Sequence, residues 1–274
     1  MLKISRLIAG LLITIALTAP VAAQDAGRLP LPVLRDVKVE SRVAFDAGLY
    51  TYIYTVSNPS TNTGEIWNID IDVSKPPGSL ELSSEGFTIP LGATTKSFDE
   101  KMAFVAGSPR GYVPMVPVGM VPPLGWAGGL SASGFAGFSE DKDRGGKSIF
   151  PGDRLTDLKL ISYGLPAIRQ IYVEPWWIYV QSQDLTYEEA MEEDKRAQEL
   201  EESIPFKTKT LGPTAPPADF KPFAFIDYII SLKHEAVALG WIKNEGIVNS
   251  LDVKLENAKK AIERNNIRPA KNML

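Results

Sequence analysis

The chain has no cysteine and a single histidine, His234. Disulfide frameworks, thiol nucleophiles, iron–sulfur clusters and the Cys- and His-rich zinc sites are therefore excluded. A histidine-dependent hydrolase could run only through His234. That residue falls on the flank of an apolar helical stripe, with no second histidine and no nucleophile beside it, and it reads as a surface histidine. A basic excess is missing as well: 29 Lys and Arg face 33 Asp and Glu, a net charge of −4. Without a basic field, nucleic acid is a poor partner. The chain carries no Gly-rich phosphate loop, Ser nucleophile elbow or zinc-helix motif. Nothing in the composition asks for a cofactor or a metal.

Long apolar runs are absent except at the start. Lys3 and Arg6 precede the stretch from Leu7 to Ala19, and Pro20-Val21-Ala22-Ala23 follows with the small residues a leader peptidase needs. This pattern predicts a secretory signal peptide over residues 1–23, cleaved after about Ala23. The run falls short of the roughly 20 residues of a spanning helix, so no membrane span is expected after cleavage. Loss of Lys3 and Arg6 would take the net charge from −4 to −6. Export without cysteine points to a bacterial product of the periplasm or extracellular space.

Residues 24–182 read as a β domain. Tyr50, Tyr52, Tyr54 and Val56 share one face of an alternating run, and Asn58-Pro59-Ser60-Thr61-Asn62-Thr63-Gly64 is dense turn chemistry. Ile69, Ile71 and Val73 oppose Asn68, Asp70 and Asp72 on the next run, the pattern of a half-buried antiparallel strand. Further strands are expected over 36–45, 154–162 and 169–173. The stretch Ala103–Phe138 mixes Gly and Pro with Val, Met, Trp and Phe, and reads as an apolar loop. Met115, Val118, Met120 and Val121 would cover an open end or edge of the sheets, or display a partner surface.

Residues 183–222 read as a connector. Thr186 and Glu189 have capping-box spacing at the start of a helix reaching about Glu202. From Asp184 to Glu202 nine acids stand against Lys195 and Arg196, which suits a solvated spacer. Pro205, Pro213, Pro216, Pro217 and Pro222 then predict an extended linker over 204–222. Residues 223–274 read as a helical hairpin. Ile226, Ile229, Ile230 and Val237 line one helix that Gly240 stops. Ile247, Leu251, Leu255, Ala258 and Ile262 line a second, and Pro269 could open a third.

Three clusters could carry chemistry. Asp141-Lys142-Asp143-Arg144-Gly145-Gly146 faintly echoes a calcium loop, but the twelfth position is Gly152 and no helices flank it, so a plain turn is favoured. Asp70 and Asp72 could act as paired carboxylates, although acids on the wet face of a strand are the default. Glu174, Trp176, Trp177 and Tyr179 form the candidate ligand-binding cluster. Tryptophan stacks on sugar faces, and a neighbouring carboxylate accepts hydroxyl hydrogen bonds. On a strand the two adjacent tryptophans would point to opposite faces, so at most one enters the core, and core packing with one boundary tryptophan is favoured over a ligand site.

Two resemblances add to this reading. The strand and turn pieces loosely resemble bacterial immunoglobulin-like and fibronectin-type sandwiches. Leu232, Val237, Leu239-Gly240-Trp241-Ile242, Asn244, Gly246, Asn249-Ser250-Leu251, Lys254-Leu255, Ala258 and Ala270 resemble a truncated FIMAH module, over about 226–274. That module is found at the C-termini of secreted bacterial hydrolases and surface proteins, and its last helix normally continues past the position of Leu274. The resemblance implies an accessory module, not a catalyst. The expected protein is mainly β: an immunoglobulin-like antiparallel sandwich, an acidic helix, a Pro-rich linker and a small helical hairpin. It would be a non-catalytic binder or scaffold with a protein or polysaccharide partner at the cell surface. The alternative is a carbohydrate-binding accessory protein using exposed Trp and Tyr, and a carboxylate hydrolase stands last.

Overall fold

Alternating β-branched and aromatic residues build two antiparallel sheets. The first has strand order β1-β2-β7-β4: β1 is Lys38–Asp46, β2 Leu49–Ser57, β7 Arg154–Ser162 and β4 Val118–Val121. The second has order β5-β6-β3-β8-β9: β5 is Trp126–Leu130, β6 Phe135–Glu140, β3 Ile66–Asp72, β8 Leu165–Pro175 and β9 Phe206–Thr214. The computed structural model describes residues 31–82, 113–177, 185–218 and 221–264. The predicted signal peptide, residues 103–112 of the apolar stretch, Tyr179 and the third helix expected at Pro269 lie outside the described residues.

The sheets face each other across one core. Tyr52, Tyr54, Val56, Met120, Leu158 and Leu160 come from the first, and Ile69, Ile71, Ala136, Phe138, Ile171 and Val173 from the second. The faces predicted for the two clearest runs are the faces observed. At one margin the layers touch directly, where the Leu211 amide donates to Ser41 Oγ at 3.3 Å. The buried Tyr52 hydroxyl donates to Gly164 O at 2.7 Å, whereas the Tyr54 hydroxyl has no hydrogen-bond partner among the described residues. Ala47 and Gly48, at φ 47° and 85°, make the two-residue turn between β1 and β2, a geometry matching the twist of the flanking strands.

Two expectations are corrected here. The apolar stretch read as a loop carries β4, β5 and the start of β6, with Val118 and Met120 in the core and β4 at a sheet edge. One of its glycines marks a close approach within a strand: a Cβ on Gly128 would lie 3.1 Å from Met120 Cβ. The stretch read as an extended linker contains β9, which pairs with β8 from Leu165↔Thr214 to Val173↔Phe206. Its inward face uses threonine, with Thr210 buried, so no apolar alternation announces it. Pro213 is tolerated because β9 is an edge strand.

Helix α1 (Tyr187–Ser203) joins β8 to β9 and begins with the predicted capping box: Thr186 N–H donates to Glu189 Oε2 at 2.8 Å, and Glu189 N–H to Thr186 Oγ1 at 3.3 Å. Helices α2 (Pro222–Ala238) and α3 (Glu245–Glu263) form the hairpin, turned by Gly240 at φ 73° and reopened by the Asn244 cap. Ile226 on α2 and Leu255, Ala258 and Ala261 on α3 are buried, while Ile247 is mostly exposed. Lys233–Asp252 and Lys259–Asp227 ion pairs clasp the two helices. The Tyr228 hydroxyl, its pKa pushed up to about 12 chiefly by burial, donates to Pro166 O at 2.8 Å and ties α2 to β8.

Candidate functional site

The register of the second sheet gathers four chain segments at one end. Ala127, Ser139, Asn68 and Glu174 form a row across β5, β6, β3 and β8, and just beyond it lie Trp126, Glu140, Ile66 and Pro175. Between Ile66 and Asn68 the pairing of β3 with β8 shifts by one residue. That bulge breaks the alternation at Trp67. Simple parity puts Trp67 inside with Ile69 and Ile71; instead Ile66 takes the buried place and Trp67 lines a surface groove.

Trp176 lines the groove from the far end of β8. Its amide donates to Glu65 O at 2.8 Å, and the preceding Pro175 packs against Gly64, where there is no room for a side chain. Asn58 fixes this corner from within, donating to Gly64 O and Ile149 O at 2.9 Å each. The turn after β6 supplies the charges. Asp141 caps a single 3-10 turn, Lys142–Arg144, and Gly146 lies so close to Gly125 O that a Cβ would overlap it. The resulting depression, about 390 Å³, is lined by Trp67, Trp176, Glu140, Asp141, Asp143 and Lys142, with Ala127. That volume falls within the roughly 300–1,000 Å³ of small-ligand sites. Trp176 is 40% exposed, and Lys142 Nζ stands 5.7 Å from the centre of its ring.

The predicted cluster therefore divides. Trp176 lines the groove, while Trp177 is half-buried and is not among the residues that line it. Both follow the end of β8 at Pro175 instead of alternating along a strand. Glu174 belongs to a second group on the outer face of the sheet, where Asn68 Nδ2 donates to Glu174 Oε2 at 3.0 Å and to Asp70 Oδ2 at 2.9 Å. The carboxyl partner of Asp70 is thus Glu174, from another strand. Asp72 is held separately, by Arg169 at 2.8 Å and Ser74 Oγ at 2.6 Å. Burial, reinforced by the charge of Glu174, pushes the Asp70 pKa up to about 6, against the opposing hydrogen bond from Asn68. Gly137, directly opposite, leaves the space that the Asp70 carboxylate occupies.

The calcium-loop echo is a turn. Asp141 spends its carboxylate on the Arg144 amide and guanidinium, both at 3.2 Å, and no group of three metal-capable acids or histidines occurs among the described residues. His234 is exposed. An apolar recess of about 200 Å³ lies elsewhere, between Pro76, Pro77, Pro216, Pro217, Leu165 and Tyr228. The Tyr228 hydroxyl proton already goes to Pro166 O, so toward a ligand it could only accept. Among the described residues no helix is long and apolar enough to cross a membrane.

Sequence reasoning missed Trp67 and Glu140 as lining residues, and took Lys142 only as part of a turn. The one available signal was the Asp141–Gly146 turn, whose position beside a tryptophan depends on strand pairing. No family model, no curated protein and no solved structure matches the chain.

Proposed function

We propose that the chain is an exported bacterial binding protein, non-catalytic, that holds a saccharide in the groove of Trp67 and Trp176. The observation that carries this reading is the exposed Trp176 ring beside a second tryptophan and three carboxylates, Glu140, Asp141 and Asp143. Indole faces stack on the apolar faces of sugar rings, and carboxylates accept hydroxyl hydrogen bonds. Rigid aromatic walls do this at small entropic cost.

The finer fold reading is an immunoglobulin-like sandwich. Its support is the strand order: β1-β2-β7-β4 facing β9-β8-β3 corresponds to the A-B-E-D and G-F-C sheets of an immunoglobulin domain. The β5–β6 hairpin is added beside β3, and α1 is inserted between β8 and β9. Helices α2 and α3 are the FIMAH-like accessory part.

Retention of the full chain on insoluble polysaccharides, measured beside Trp176→Ala and Trp67→Ala, tests the function. Binding by the parent and loss in both variants supports it. Binding unaffected by either variant moves the ligand elsewhere.

A further inference from the structure

We propose that the groove is built for a cationic sugar: its ligand is a polysaccharide bearing primary amines, of the glucosamine type, with one ammonium group seated over Trp176. This rests on the groove being the ligand site.

The first ground is that an ammonium already occupies that position. Lys142 Nζ lies 5.7 Å from the Trp176 ring centre, the range in which the negative face of an indole attracts a cation. Lys142 is carried on an exposed turn by a flexible four-carbon stem, so it can leave and a ligand amine can replace it. The second ground is charge. Glu140, Asp141 and Asp143 line the groove against the one ammonium of Lys142. Ser148 Oγ at 2.8 Å accounts for one oxygen of Glu140, and Arg144 engages Asp141. Neither contact removes the negative balance, which would repel uronate or sulfated chains. A neutral sugar would stack on the indoles and give the carboxylates hydroxyl hydrogen bonds, whereas an amine-bearing sugar would add the complementary charge. The third ground is Trp67. A lone ammonium needs one aromatic face, whereas the bulge that turns a second indole into the groove offers a surface for the ring that carries the amine.

The test is isothermal titration of the full chain with a glucosamine tetramer and with its N-acetylated counterpart, at pH 6 and low salt, alongside a lysine tetrapeptide. The parent should bind the amine form at least about fivefold more tightly than the acetylated form, and salt should weaken that preference. Lys142→Ala should strengthen binding of the amine form by removing the internal competitor, and Asp143→Asn should weaken it. Both positions are exposed, so thermal melts of the variants should match the parent. Equal binding of both tetramers, lost in Trp176→Ala, would overturn the cationic assignment and leave the saccharide groove standing. Absence of binding to both tetramers would overturn the cationic assignment; the saccharide groove would fall with it only if the parent is also not retained on the insoluble polysaccharides. Lysine peptide binding as tight as the amine tetramer would overturn the polysaccharide assignment.

Discussion

Lys142 holds its ammonium 5.7 Å from the centre of the Trp176 ring, although the two residues belong to different segments of the chain. The contact exists because the turn after β6 and the end of β8 reach the same corner of the second sheet. Being exposed, it is worth only about 0.5–1 kcal/mol. Lys142→Ala should therefore leave the melting temperature within about 2 °C of the parent while changing the accessibility of Trp176 to a fluorescence quencher. A large loss of stability would mean that the lysine supports the fold rather than occupying a site.

The Asp70 carboxyl sets a pH dependence of known sign. Its folded pKa, about 6, lies above the ordinary aspartate value, so between about pH 4 and pH 6 the folded state holds more protons than the unfolded state. Its contribution to stability is complete below about pH 4 and declines as pH rises through 6. Asp70→Asn keeps an oxygen for Asn68 and removes the buried charge beside Glu174. Urea unfolding should show the variant more stable than the parent by about 2 kcal/mol at pH 7.5 and equal to it near pH 4. A constant difference across that range would contradict the assignment.

Two neighbouring core tyrosines on one strand face should respond differently to loss of their hydroxyls. Tyr52→Phe strands the buried Gly164 carbonyl and should cost about 1–2 kcal/mol. Tyr54→Phe removes a buried hydroxyl without a partner among the described residues and should be neutral or stabilising. Denaturant midpoints of the two variants, measured together, decide this. Equal costs would place an unseen partner at Tyr54.

Strand β9 belongs to the sheet, so a chain ending after Pro205 would expose the whole edge of β8 and empty the places of Phe206 and Thr210. It should fail to melt cooperatively. A chain ending after Ala218, which keeps β9 and drops α2 and α3, should still melt as one transition. A cooperative melt of the shorter chain would return residues 206–214 to the status of a linker.

How much of this was legible in the sequence follows from where the apolar residues sit. Tyr52, Tyr54, Ile69 and Ile71 repeat every second position on strands with one wet face, so those strands and their inward faces could be read directly. Thr186 with Glu189, and Gly240, marked helix ends through local chemistry alone. β9 was hidden because its inward residues are threonines, and β5 and β6 because glycine stands where Met120 or Asp70 comes close. The site was hardest to read. Glu174 and Trp176, two residues apart, serve different clusters. Trp67 reaches the groove only through a bulge, which depends on how β3 registers with β8 and leaves no trace in hydrophobic periodicity.

In the proposed site Trp67 and Trp176 line one groove, and their indole N–H resonances report on its occupancy most directly. In a full chain labelled at tryptophan nitrogen, titration with the glucosamine tetramer should shift the Trp67 and Trp176 signals along one saturable curve, leaving Trp126 and Trp241 in place. A shift confined to Trp241, or none at saturating tetramer, would contradict the account.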